Sequence, residues 1–126
     1  MIKKRSLKIA SKVAEIAMEE YNRLLPIAEK MDEQVDPYSR ELRSSAMLHH
    51  SIQSLRGHLE LLLHAMGPDD IAVYQWESAI ELSIGDLSRS PFVREKTSNL
   101  AQEFVNSIKT KLMTVIDANT DNSEAN

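Results

Sequence analysis

The sequence contains no cysteine and is poor in glycine, proline and aromatic residues. Its 126 residues include only 3 Gly, 4 Pro, 1 Trp, 3 Tyr and 2 Phe. Without Cys, the chain has no disulfide, no thiolate metal ligand and no cysteine nucleophile, and we expect it in a reducing compartment, the cytoplasm. Because turns depend heavily on Gly and Pro, their scarcity favours a few long helices over the many short strands of a β-sandwich.

Long apolar runs and glycine-rich loops are absent as well. No segment approaches the roughly 20 apolar residues that a transmembrane helix needs. The chain opens with basic residues, as signal peptides do, but Lys8 and Lys12 interrupt the apolar stretch that would have to follow. We therefore expect neither a membrane segment nor a signal peptide. The glycines stand far apart, so no phosphate-binding loop is formed and no cofactor is predicted.

Charge is unevenly distributed along the chain, although the net charge is only −4. Residues 57–88 contain acidic residues but no Lys or Arg. We use the name basic segment for the cations at the start of the chain: Lys3, Lys4, Arg5, Lys8 and Lys12. This segment could contact phosphates or anionic lipid, or it could be a solvated helix start that pairs with the glutamates after it. The acidic net charge and the few aromatic residues disfavour nucleic acid as its partner.

Apolar residues recur every three or four positions along four segments, which predicts an all-α protein, an antiparallel four-helix bundle. The first helix is predicted over residues 3–35 and the second over residues 37–66, with Asp36 as the cap of the second. Pro26 lacks an amide hydrogen and clashes with the carbonyl group of Asn22, so we expect the first helix to be kinked there rather than broken.

The two remaining helices are predicted from caps and stops as well as from apolar spacing. The third begins at residues 69–70 and ends near Gly85, and the fourth runs from Pro91 to about Ala118. We expect residues 1–118 to form a single helical-bundle domain. The small polar residues 119–126 are predicted to be a disordered tail.

The second predicted helix has apolar residues beyond its inner face. That inner face is predicted to consist of a regular stripe: Leu48, Ile52, Leu55, Leu59, Leu62 and Met66. Met47 and Leu61 lie off this stripe, and three consecutive leucines, 61–63, predict that the end of the helix is buried nearly all round. Gly57 costs about 1 kcal/mol relative to Ala inside a helix, which is tolerated at a neutral surface position or where another backbone approaches closely.

These features predict a homodimer. The first two helices, each predicted at about 30 residues or ~45 Å, would project beyond the other pair and meet a second copy. Met47, Gly57 and Leu61 are the predicted interface residues.

All four histidines lie on the second predicted helix: His49, His50, His58 and His64. Two ligands on one side of a helix must be three or four residues apart, and no pair of these histidines has that spacing. We therefore predict no metal site. Glu60 and His64 are four residues apart, and the simplest interpretation is an exposed pair.

Arg43 precedes two of these histidines, with six residues between it and His50 and five between it and His49. This spacing resembles the Arg–His signature of HEPN-type ribonucleases. The resemblance implies a small helical protein that acts as a dimer and cleaves RNA without a metal ion. It also implies that His50 and Arg43 would act on the ribose hydroxyl and the scissile phosphate. Ser44 stands where a polar residue usually follows the Arg.

Three hypotheses of different classes follow from the sequence. The first, which we favour, is a non-enzymatic helical protein-interaction module, a regulator, adaptor or inhibitor of bacterial or phage type. The second is a metal-free ribonuclease built around Arg43 and His50. The third is a weak nucleic-acid binder that uses the basic segment, and the net charge of −4 disfavours it.

Overall fold

The computed structural model describes residues 4–67 and 69–119, with the side chain of Asp86 excepted. These residues form four α-helices, α1 (Lys4–Asp32), α2 (Ser44–Met66), α3 (Val73–Glu81) and α4 (Glu95–Ala118), with a 3-10 helix at Gly85–Arg89 between α3 and α4. The predicted all-α, four-helix architecture is confirmed. Lys3 and residues 120–126, which make up most of the predicted tail, lie outside the described residues.

α2 contacts each of the other three helices. α4 also packs against α1 and α3. Trp76 and Phe104 are the largest fully buried side chains, and most of the remaining core is aliphatic. The inner side of α4 is buried along its whole length, through Leu100, Phe104, Ile108, Leu112 and Val115.

α1 continues through Pro26 without a break, as predicted. Pro26 and Asn22 are both exposed, so water can hydrogen-bond the Asn22 carbonyl group that loses its helical donor. Leu24 and Ala28, on the opposite side, are fully buried against the core. The missing hydrogen bond is therefore placed where it costs least. A kink at this position stays a prediction.

α2 begins at Ser44, later than the predicted start at residue 37. The carboxylate of Asp36 accepts a hydrogen bond from the amide of Tyr38 at 2.9 Å, and the hydroxyl of Ser39 accepts one from the amide of Glu41 at 3.1 Å. These local bonds form turns that compete with a helix. α2 therefore has 23 residues, against 24 in α4, and the prediction that the first two helices both outreach the others is wrong.

Asp32, the last residue of α1, caps α2 in the role that was predicted for Asp36. Its carboxylate accepts hydrogen bonds from the amides of Ser44 and Ser45, the latter at 3.1 Å, and from the Ser45 hydroxyl. Burial by itself would raise the pKa of Asp32, but these hydrogen bonds and the charge of Arg43 outweigh it, so the pKa lies below its ordinary value. One side chain thus joins the end of α1 to the start of α2.

The ends of α3 and the start of α4 also differ from the predicted positions. α3 begins at Val73, where the side-chain oxygen of Gln75 accepts a hydrogen bond from the amide of Ala72 at 2.7 Å. It ends at Glu81, and Gly85 adopts a φ of +61° at the start of the 3-10 helix. Residues 90–93 form a turn before α4. Side-chain hydrogen bonds of Asp32 and Gln75 thus mark the starts of α2 and α3, whereas α4 begins after a turn without a side-chain cap.

Candidate functional site

Three large apolar side chains are exposed on one side of the bundle. Leu61 on α2 is 65% exposed, Tyr74 on α3 is 70% exposed, and Leu82, which follows α3, is 53% exposed. They border a groove of about 390 Å³ between α2 and α3. We call this surface the α2–α3 face and define it by six lining residues: His58, Leu61, Leu62, Tyr74, Ala79 and Leu82.

The α2–α3 face exists because both helices are apolar on more than their inner side. Leu59 is buried on the inner side of α2, and Leu61, two residues further on, points about 160° away from it at 100° per residue. Trp76 and Ile80 occupy the inner side of α3. Tyr74 and Leu82 are eight residues apart, a difference of about 80° at 100° per residue. Both therefore lie away from the buried side of α3.

The described lining of the groove in the α2–α3 face contains none of the acidic residues of segment 57–88. The described residues that line this groove include no Asp, Glu, Lys or Arg. Glu81 lies next to the lining residue Leu82 but forms an ion pair with Lys109 of α4. Covering this surface with another apolar surface therefore removes no isolated charge from water, which keeps the cost of desolvation low.

The structure separates the three predicted interface residues. Met47 is 1% exposed and belongs to the interior of its own chain, so its assignment to an interface is wrong. Gly57 is exposed, and a Cβ atom added there would meet nothing within 4 Å. Leu61 is the most exposed of the three leucines at the end of α2. The prediction that this end of the helix is buried nearly all round is therefore wrong.

Tyr74 and Leu82 are members of the face that the sequence interpretation missed. The signal for them was present in the sequence. Each is a large apolar residue off the buried stripe of its helix, which is the same property that singled out Leu61 on α2.

Arg43 and His50 have described contacts with different parts of the molecule. The guanidinium group of Arg43 donates a hydrogen bond to the carbonyl oxygen of Asp32, at the end of α1, at 2.9 Å. The Nε2 atom of His50 lies 3.4 Å from the position that a Cβ atom on Gly85 would take. Seven residues along a helix correspond to about 10 Å. The described contacts thus give the ribonuclease hypothesis no support.

The described part of the basic segment is only partly open to solvent. Lys4, Lys8 and Lys12 are exposed and recur every four residues along one side of α1. The side chain of Arg5 is 18% exposed and lies 4.0 Å from the carboxylate of Asp70. Lys12 lies 3.5 Å from Glu15. Part of the basic segment is therefore paired with acidic residues of the same chain.

Glu20 is a buried carboxylate that joins α1 to α4. It accepts hydrogen bonds from Lys111 at 2.9 Å and from Arg23 at 2.7 Å. Burial would raise the pKa of Glu20, but the two cations, through their hydrogen bonds and charges, hold it below its ordinary value. Arg23 also contacts Glu103 of α4 at 3.3 Å. The buried charge of Glu20 is therefore compensated by two cations and helps to hold α1 against α4.

Comparisons of this chain with protein families, with curated proteins and with solved structures find no match. Among residues 4–67 and 69–119, no group of three or more His, Asp or Glu side chains is arranged to hold a metal ion. None of the described helices combines the length and the apolar character needed to cross a bilayer. The function is therefore argued from the surfaces described above.

Proposed function

We propose that this protein is a non-enzymatic helical interaction module, of the kind that serves as a regulator, adaptor or inhibitor, and that it binds through the α2–α3 face. The observation that carries the proposal is the grouping of Leu61, Tyr74 and Leu82 around one neutral groove. Single exposed apolar residues are common on soluble proteins, but a contiguous group marks a surface that another molecule covers.

We propose a second copy of the chain as the molecule that covers this face. In a two-fold dimer each residue of the interface can meet the same surface on the partner, so a charged surface would face its own sign. The described lining of the α2–α3 face contains no Asp, Glu, Lys or Arg, which limits this repulsion. Gly57 lies one helical turn before Leu61 and leaves open space beside α2, which permits a close approach of the partner helix.

The test compares two substitutions of exposed apolar residues by Glu. Leu61→Glu places a charge in the α2–α3 face, and Met113→Glu places the same charge on α4, where Met113 is 47% exposed. Light scattering and sedimentation at high micromolar concentration should show a dimer for the wild type and for Met113→Glu, and a monomer for Leu61→Glu. Circular dichroism should show unchanged helix content in both variants.

Gly57→Glu provides an independent test of the same surface. Because an added Cβ atom meets nothing within 4 Å, the substitution should leave the fold of the single chain intact while it obstructs a partner helix. We expect a monomer. A wild type that is monomeric at high micromolar concentration would rule out the second copy as partner. Dimers that persist in both Gly57→Glu and Leu61→Glu would show that copies associate through another surface.

A further inference from the structure

A second groove, of about 370 Å³, lies between α1 and α4. It is formed where the early part of α1 meets the end of α4. Lys8 and Lys12 line it from α1, and Lys111 lines it from α4. Lys8 and Lys12 are four residues apart and therefore project from the same side of their helix. We call this surface the lysine groove.

The remaining lining of the lysine groove is mostly apolar. Ile16 and Val115 are 7% and 5% exposed, and Ala118 continues this surface towards the end of α4. None of the described residues that line the groove is acidic. The groove thus combines a cationic rim with an apolar floor, whereas the α2–α3 face is apolar without a charged rim.

Two glutamates beside the groove contact its lysines. Glu20 engages Lys111 at 2.9 Å and fixes its position. Glu15 lies 3.5 Å from Lys12, but both side chains are more than half exposed, and such solvent-exposed pairs are weak and exchange readily. Lys8 and Lys12 therefore supply the ammonium groups that can approach a ligand. Two lysines beside an apolar floor match one anionic head attached to an apolar chain.

We propose that the lysine groove binds a single-chain amphiphile with an anionic head, the chemistry of a medium-length fatty acid. The alkyl chain would cover Ile16, Val115 and Ala118, and Lys8 and Lys12 would hold the anionic head. A free phosphate or a short acid would leave the apolar floor uncovered, and a neutral alkyl compound would leave the lysines without an anion. This site is separate from the α2–α3 face and does not depend on dimer formation.

The test uses three probes at concentrations below micelle formation: laurate, dodecyl maltoside and acetate. Calorimetry should show one laurate per chain, with dodecyl maltoside and acetate binding at least about tenfold more weakly, which corresponds to about 1.4 kcal/mol. The methyl resonances of Ile16 and Val115 should shift on addition of laurate, and those of Leu61 should not. Shifts at Leu61 instead would place laurate on the α2–α3 face and would overturn the proposal.

Matched charge reversals test the role of the lysines. Lys8→Glu and Lys12→Glu should each weaken laurate binding by about tenfold. Lys30→Glu makes the same charge change at an exposed position near the other end of α1 and should leave laurate affinity within about twofold. Equal losses in all three variants would show an effect of net charge only. No laurate binding by the wild type, or equal binding of dodecyl maltoside, would also contradict the site.

Discussion

The α2–α3 face and the lysine groove are nearly equal in size, about 390 and 370 Å³, and both have apolar linings. They differ in charge. Lys8, Lys12 and Lys111 surround one, and the described lining of the other carries no fixed charge. Burial of apolar surface favours any apolar partner, whereas a charged surface favours a partner of opposite charge. This difference in charge is why we propose a copy of the chain as the partner of the first surface and an anionic amphiphile as the ligand of the second.

The largest expected effect is on the buried core. Leu55 and Leu59 are 0% and 3% exposed, so replacing either by Ala removes buried methyl groups and leaves a cavity. We expect each substitution to lower the free energy of unfolding by ~2–5 kcal/mol. Leu61→Ala, on the exposed α2–α3 face, should change the stability of the monomer by less than about 0.5 kcal/mol. Urea unfolding at low protein concentration measures the difference, and losses below about 0.5 kcal/mol at both Leu55 and Leu59 would show that the buried side of α2 is misassigned.

The next largest effect distinguishes the two surfaces through Glu20, which holds Lys111 beside the lysine groove. Glu20→Gln weakens two charge-assisted hydrogen bonds, and we expect the free energy of unfolding at pH 7 to fall by ~1.5–3 kcal/mol. The association of copies through the α2–α3 face should not change. Glu19→Gln, at an exposed neighbouring position, is the control and should alter stability by less than about 0.5 kcal/mol.

The pH dependence of this difference has a definite sign. The folded protein holds the pKa of Glu20 below its ordinary value of 4.5. The stabilisation by ionised Glu20 is therefore complete well above pH 4.5 and is lost as the pH falls through the lower pKa of the folded state. The stability gap between wild type and Glu20→Gln should narrow in acid. A gap that stays constant from neutral to acidic pH would contradict this role of the carboxylate.

A smaller effect is expected for Asp32, which lies away from both surfaces. Its substitution should therefore change stability without changing binding. Asp32→Ala removes the cap of α2 and should lower the free energy of unfolding by ~0.5–2 kcal/mol. Dimer formation and laurate binding by the folded protein should stay the same. Asp36→Ala removes the turn-forming carboxylate that was predicted to be the cap, and it should cost less. Thermal unfolding of the two variants measures which loss of stability is larger. A larger loss in Asp36→Ala would show that Asp36, and not Asp32, is the cap of α2.

The smallest expected effect is the response to salt, which compares the two surfaces in one experiment. Raising the ionic strength from about 0.1 M to about 1 M shortens the Debye length from about 10 Å to about 3 Å. Laurate binding at the lysine groove should weaken by about threefold, because part of it is electrostatic. The dimer dissociation constant should stay constant or fall, because no Asp, Glu, Lys or Arg lines the groove of the α2–α3 face. A dimer that dissociates in salt would indicate a charged interface instead.

The buried helix faces were the part of the fold most accessible from sequence. Burial of the aliphatic stripe on α4 and of Leu48, Ile52 and Leu55 on α2 follows from residue spacing, because one side of a helix repeats every three to four residues. Gly67, with φ of +59°, ends α2 as predicted because its amide bonds the Leu63 carbonyl oxygen at 3.3 Å.

Helix starts and the candidate surfaces were less accessible. The sequence predicted Asp36 as the cap of α2, whereas Asp32 takes this role because the end of α1 meets Ser44 in three dimensions. Leu61 could be identified by its position off the stripe, but its neighbours on α3 could not be paired with it before the packing of α2 on α3 was known. Met47 shows the converse, because an apolar residue off the predicted stripe of α2 is nevertheless buried within the chain.

The role of the α2–α3 face is tested most directly by nuclear Overhauser effects between copies in a sample that mixes isotope-labelled and unlabelled protein. At high micromolar concentration we expect intermolecular contacts from the methyl groups of Leu61 and Leu82 to the ring of Tyr74. Leu7 on α1 and Met113 on α4, each 47% exposed, should show none. Intermolecular contacts confined to Leu7 or Met113, or an absence of any such contacts at this concentration, would contradict association through the α2–α3 face.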